Sequence, residues 1–492
     1  MYGPEKSDSP IVPTKPANKA GRPAAESVEG RGGTAGNAGE QTTVRTQSRA
    51  AVSHAQSRIR EAVKRNKQEK LTALHHHLTV DVLRAAFFAL KKRAVPGIDQ
   101  VTWTAYEADR EAHLTTLQTR LQRGAYRALP ARRTYIPKAD GSQRPLGIAA
   151  LEDKIVQAAV VIILTPVYEA EFLGFSYGFR PGRSQHDALD ALAYGIKGRN
   201  VRWILDADIR SFFDTIDHAW LMAFLEHRIA DKRILRLIQK WLKAGVLDKG
   251  AWVATEEGTP QGSVISPLLA NIYLHYVYDL WVQAWRRRTA TGDMIVVRYA
   301  DDTIAGFQRL DTARQFLTDL RVRLAKFGLD LNPAKTRLLA FGRFVADRRA
   351  ARGEGRPETF DFLGFTHICG TKRDGRGFQL WRKTKRARKW ATIRRIAEDL
   401  RRMRHDPIDE QGRRLAAMLR GHYAYFGVPS NIAALFAVRH HVKVRWYLSL
   451  RRRSQRTRLT WRRMNVIVDR YLPRPTVLHP WPDSRFVVTH RQ

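Results

Sequence analysis

An α+β fold is predicted for this 492-residue chain. Short apolar runs of strand type occur in its middle, segments with helical apolar spacing flank them, and the two kinds do not alternate as regular βαβ units. Residues 1–60 are rich in Gly, Ala, Ser, Thr and Pro, with Tyr2 their one aromatic. Such a composition cannot bury enough apolar surface to offset chain entropy, so a disordered tail is expected. His75-His76-His77 reads as a helix start with partly buried imidazoles, since no matching ligand cluster accompanies it as a metal tract would require. Helical spacing follows over 78–90, a buried helix is read at 158–164, and further helical stretches such as 219–242 flank the strands.

Two strand regions carry acids. Residues 201–209 read as a strand with Asp206 and Asp208 near its end, and period-two geometry puts both on one face. Turn and helix signals begin directly after it, at 210–218. Farther on, Met294-Ile295-Val296-Val297 and Thr303-Ile304-Ala305-Gly306-Phe307 bracket Tyr299-Ala300-Asp301-Asp302, the pattern of a β-hairpin with two acids at its turn. Adjacent carboxylates repel, and divalent cations relieve that cost. Two Mg²⁺ ions roughly 3.5–4 Å apart form the clamp used in in-line phosphoryl transfer. Alone, the turn could be a solvated one that contains two acids, and a strand-end Asp could be a helix cap. Together the strand and the hairpin read as a polymerase palm.

Charge agrees. Lys plus Arg number 86 against 47 acids, a net charge of +39, which points to a polyanion and away from a small-molecule enzyme. No apolar run approaches the length of roughly 18 residues that a membrane span needs, and no signal peptide opens the chain. Cys369 is the single cysteine, which excludes a disulfide framework and a cysteine-based zinc site. Between Arg382 and Arg463, 24 basic residues stand against five acidic ones, with Tyr423, Tyr425, Phe426, Trp446 and Tyr447 interleaved. Breaks near Pro407 and at Gly427-Val428-Pro429 divide this stretch into three helices, and its density of charge favours a nucleic-acid surface over a solvated face.

The order of blocks resembles the bacterial group II intron-encoded reverse transcriptases and maturases, in their endonuclease-lacking form. The resemblance lies in Pro96-Gly97-Ile98-Asp99, residues 132–148, Tyr177-Gly178-Phe179-Arg180-Pro181-Gly182-Arg183-Ser184, residues 258–272 from Gly258-Thr259-Pro260-Gln261-Gly262, Asn332-Pro333-Ala334-Lys335-Thr336 and Phe362-Leu363-Gly364-Phe365. It implies a right-hand polymerase fold, with fingers and palm followed by an α-helical thumb, domain X. The implied divisions are a disordered tail (1–60), an N-terminal extension of the fingers (61–118), fingers and palm (119–367), thumb (380–453) and a basic DNA-binding-like C-terminal segment (454–492). Family members that cut DNA usually carry a cysteine-containing HNH domain, and none is expected here.

The resemblance also implies roles. Asp208, Asp301 and Asp302 would hold two Mg²⁺ ions, with Mn²⁺ as a substitute. Lys138 and Arg144, flanking a hairpin turn at Asp140-Gly141, would hold the triphosphate, and Gln261 would line the incoming nucleotide. Lys335 would donate a proton to pyrophosphate, an exposed structural lysine being the alternative. Phe213 would gate against a 2′-hydroxyl, unless it is a core aromatic beside Phe212. Arg420, Arg451, Arg452 and Arg453 would bind nucleic acid. The implied function is RNA-directed DNA polymerisation, with dNTPs, template-primer duplex, group II intron RNA and target DNA as partners, in the bacterial cytoplasm. A splicing-only maturase and a domesticated or defence-associated reverse transcriptase are the alternatives. The intact aspartates and the well-matched domain X speak against them.

Overall fold

The computed structural model describes residues 41–65, 69–137, 143–372, 374–454 and 458–484. An N-terminal helical layer comprises α1 (Gln41–Arg65), α2 (Val80–Ala89), α3 (Trp103–Ala108) and α4 (Arg110–Gln122). The expected tail is thus corrected over 41–60, which is helical. Ala55, Ile59 and Val63 form a spaced stripe that buries itself against the body of the protein, a stripe its polar neighbours conceal. The histidine triplet is a short 3₁₀ turn before α2, with His75 and His77 buried as expected. Thr79 caps α2 by accepting from Val82 N.

Strands β1 (Ala131–Pro137) and β2 (Gln143–Ile148) pair antiparallel, and β4 (Val246–Asp248) and β5 (Ala251–Val253) extend them into a sheet of order β2-β1-β4-β5. Between these strands lie α5 (Leu151–Glu169), which contains the expected buried stretch, α6 (Gln185–Gly198), β3 (Trp203–Asp208), α7 (His218–Arg228) and α8 (Lys232–Lys243). The helical stretch read at 219–242 is two helices: the first ends at Arg228, where Ile229 turns extended, and Asp231 caps the second through Arg233 N and Ile234 N.

After α9 (Ser266–Leu274), a π-helical turn (His275–Asp279) and α10 (Leu280–Arg288) come β6 (Met294–Tyr299), β7 (Asp302–Phe307), α11 (Leu310–Ala325) and β8 (Arg337–Ala340). The central sheet has the order β6-β7-β3-β8. Then follow α12 (Arg343–Ala351), a third sheet of β9 (Phe360–Phe362), β10 (Phe365–Thr371) and β11 (Phe378–Thr384), and the helices α13 (Arg386–Arg402), α14 (Ile408–Phe426), α15 (Ile432–Arg451) and α16 (Trp461–Tyr471). The breaks expected at Pro407 and Gly427 separate α13, α14 and α15. The mixture, with sheets antiparallel except where β1 pairs parallel with β4 and with helices not in βαβ alternation, is α+β.

The central sheet is covered on both faces. Leu205, Ala207, Val296, Ala305 and Phe307 face a core shared with the N-terminal helices and with α5 and α7–α11. Ile204, Val297 and Ile304 face a second core that includes α6, the third sheet and α13–α16. Period-two alternation puts Asp206, Asp208 and Asp302 on this second face, where the apolar cover ends. After α16 the chain folds back: Leu478 N and His479 N both donate to Gly427 O, and the His479 ring stacks on His186 of α6 at 3.8 Å. No helix among the described residues is long and apolar enough to cross a membrane.

Candidate active site

Strands β6 and β7 pair from Met294 opposite Phe307 to Tyr299 opposite Asp302, leaving Ala300 and Asp301 as a two-residue turn. The expected hairpin is present, with Asp301 on its turn and Asp302 the first residue of β7. Strand β3 pairs with β7 so that Asp208 lies directly opposite Asp302. Facing pairs in an antiparallel ladder stand roughly 4.5–5.5 Å apart, so two carboxylates meet there by construction, with Asp206 two residues behind and Asp301 on the turn.

The crowding shows in their acidity. Burial first, then repulsion from Asp301, Asp208 and Asp206, pushes the Asp302 carboxyl up to about 7, and Lys335 opposes the shift. Burial and then Asp208 push Asp206 up to about 7 against the pull of Arg337. Asp301 is raised by burial and by Asp208, while its own backbone hydrogen bond, Arg144 and Arg298 restrain it. Lys335 Nζ donates to Asp208 Oδ2 at 3.2 Å. That ammonium stands where a cation is wanted, and among the described residues no three His, Cys, Asp or Glu side chains converge on one point that could hold a metal. The donor set, oxygen-only and acidic, fits a hard divalent ion.

Two loops close around the aspartates. Phe213 follows β3 in a 3₁₀ turn (Phe212–Asp214), with its ring 5.4 Å from that of Phe212. Thr259 N donates to Phe213 O at 2.8 Å, and Gln261 Nε2 to Asp214 Oδ1 at 3.4 Å. Gly147 N of β2 donates to Gln261 O at 2.7 Å, so the strand bearing Arg144 is tied to the loop bearing Gln261. Positive φ at Gly258 and Gly262, with backbone oxygens 2.8 and 3.0 Å from where a Cβ would stand, explains two glycines of that loop. Arg144, Gln261, Phe213, Lys335 and the aspartates thus belong to one region, whereas Lys138 lies outside the described residues.

Arg420, Arg451, Arg452 and Arg453 are elsewhere, on α14 and at the end of α15. Arg420, Arg451 and Arg452 are exposed. Arg453 is half-buried and donates to Asp406 O, closing the loop between α13 and α14. Of the C-terminal segment, α16 and the described residues after it, to Ser484, pack on the protein, with Trp461 stacked on Tyr447 at 3.8 Å.

Sequence reading missed the groups that set the hairpin tip. Gly178 lies directly beneath the turn: a Cβ there would stand 2.3 Å from Ala300 N. Asn271 Nδ2 donates to Gly178 O at 2.7 Å, and Arg298 Nη1 to Ala300 O at 2.9 Å. One signal was available, since Arg298 interrupts an otherwise apolar strand.

Residues 136–367 match the family described as reverse transcriptase (RNA-dependent DNA polymerase). Protein YkfC of Escherichia coli is 42% identical over 39% of this chain and 52% of its own length. The group II intron-encoded protein LtrA of Lactococcus lactis is 38% identical over 44% of this chain and 37% of its own. Nuclear intron maturase 1, mitochondrial, of Arabidopsis thaliana is 32% identical over 19% of this chain and 13% of its own. The chain thus spans about half or less of the curated relatives it matches.

Proposed function

Because residues 136–367 are a reverse transcriptase domain and the chain belongs with the group II intron reverse transcriptases and maturases, we propose that it is an RNA-directed DNA polymerase that binds a group II intron RNA, assists its splicing and copies it during retrohoming. In this reading the β2-β1-β4-β5 sheet belongs to the fingers, the central sheet is the palm and α13–α15 are the thumb. The observation that carries it is the facing of Asp208 and Asp302 beside a turn that adds Asp301.

The reaction joins a primer 3′-hydroxyl to the α-phosphate of a deoxynucleotide, with pyrophosphate leaving. Asp208, Asp301 and Asp302 would hold two Mg²⁺ ions, which supply charge neutralisation and a lowered hydroxyl pKa when bound. Lys335, which donates to Asp208 Oδ2, would give up a proton to the departing pyrophosphate. Arg144, near enough to pull on the Asp301 carboxyl, binds the triphosphate. Gln261, held to Asp214, lines the base and sugar, and Phe213 crowds the 2′ position. The exposed Arg420, Arg451 and Arg452 contact RNA phosphates, template-primer duplex uses the same basic helices, and target DNA is met by the basic C-terminal segment from residue 454.

Primer extension on an RNA template tests the reading. Asp301→Asn should lower incorporation by about 10³-fold or more, because a metal-ligating charge is lost. Binding of intron RNA should persist, since α13–α15 are untouched. Near wild-type extension by the purified variant would remove Asp301 from the catalytic set.

A further inference from the structure

The strand leading into the turn contains a fully buried arginine that the reaction does not use. Arg298 lies on β6 between Val297 and Tyr299, and neither its side chain nor that of Asp279 has any exposure. Nε and Nη2 donate to the two Asp279 oxygens at 2.7 and 2.6 Å. Nη2 also donates to Ser176 Oγ at 2.7 Å, and Nη1 to Asn271 Oδ1 at 3.0 Å and to Ala300 O at 2.9 Å. Ala300 is the first residue of the turn and has φ +56, a conformation that alanine seldom adopts without outside support.

The helix opposite is built to reach this arginine. On an α-helix, at about 100° per residue, Asn271 and Asp279 would project about 80° apart. The π-helical turn of His275–Asp279 winds less per residue, and both side chains arrive on the same guanidinium. Replacing a buried ion pair by apolar groups of like volume is often neutral for stability. What the pair contributes here is therefore geometry.

We propose that Arg298 and Asp279 are positioning residues, which fix the Ala300–Asp301 turn so that Asp301 and Asp302 stay in register with Asp208, and that the π turn delivers Asp279 to that contact. The proposal rests on the polymerase reading above.

The test is the double variant Arg298→Met with Asp279→Leu, whose apolar side chains replace the pair. Three measurements are needed: cooperative thermal unfolding, Mn²⁺ binding by electron paramagnetic resonance, and extension kinetics. The fold should be retained, Mn²⁺ affinity should fall about tenfold or more and kcat about 100-fold, as a displacement near 1 Å predicts, with KM for primer-template nearly unchanged. A folded double variant with wild-type Mn²⁺ affinity and kcat overturns the proposal. Should it not fold, Arg298→Lys carries the test, because lysine keeps a charge for Asp279 but has too few donors for the turn as well. Wild-type Mn²⁺ affinity and kcat in folded Arg298→Lys overturn the proposal equally, and their joint loss supports it. Failure of the underlying reading looks different: the wild-type protein itself would not extend primers, or Asp301→Asn would extend them normally.

Discussion

Gly178→Ala adds one methyl group beneath the hairpin that carries Asp301 and Asp302. Its carbon would stand 2.3 Å from Ala300 N, 3.0 Å from the Tyr299 carbonyl carbon and 3.1 Å from Ala300 Cα. Ordinary contact begins at 3.4 Å, so the turn or the Gly178 loop must retreat by about 1 Å. All three obstructing atoms are backbone, and no side-chain rotation can absorb the clash. Overpacking of this kind costs about 1–3 kcal/mol, and a 1 Å misplacement at a reacting centre can cost about 100-fold in rate. Thermal unfolding and single-turnover primer extension should therefore show a destabilised but folded enzyme with kcat down about 100-fold. Gly174→Ala is the control: the same loop has no atom within 4 Å of a Cβ at that position, and activity should be unaltered. Native kcat in Gly178→Ala, or equal losses in both variants, would refute the claim that tight apposition sets the tip.

Phe213→Val should open space beside C2′ and raise ribonucleotide incorporation relative to deoxynucleotide; equal slowing of both would identify Phe213 as packing against Phe212. Reversing Arg451 and Arg452 to Glu should weaken intron-RNA binding and flatten the log-affinity against log-salt slope by about 0.7–0.9 for each phosphate no longer engaged. An unchanged slope in a stable variant removes them from the interface. His367, stacked on Phe360 at 4.7 Å, has its pKa pulled down to about 3 by burial and then by Arg382. The unfolded chain takes up that proton first, so stability present above pH 6.5 is lost as pH falls toward 3. His367→Phe has no such proton, and denaturation at several pH values should show it gaining on the wild type by about 1.4 kcal/mol per unit below 6.5. A constant difference would place His367 in solvent contact.

The hairpin was legible because its signal is local: apolar runs around a polar two-residue turn fix register and face at once. Asp206 and Asp208 followed from strand period alone, and the breaks at Pro407 and Gly427 from backbone chemistry. What could not be read is tertiary. The Arg298–Asp279–Asn271–Gly178 network joins three remote segments, and the π turn that aligns two of them leaves no periodic trace. α1 was hidden because a few apolar positions among polar ones suffice once a partner surface exists. The facing of Lys335 onto Asp208, like the hydrogen bond of Arg453 to Asp406 O, depends on side-chain placement that residue order does not encode.

The second core has a consequence for biosynthesis. Leu189, Leu192 and Ile196 of α6 are buried in one cluster with Ile295 and Val297 of β6 and Leu380 of β11, the strands it packs against, residues made long after α6 has left the ribosome. At about 5–20 residues per second, the apolar face of α6 waits on the order of five to forty seconds for its cover. During that interval the nascent chain exposes a sticky helix face beside an unfinished sheet edge, the kind of surface that holdase chaperones occupy. Chains arrested before β6 should accordingly be captured and degraded, whereas chains released after β11 should be able to bury that face and escape.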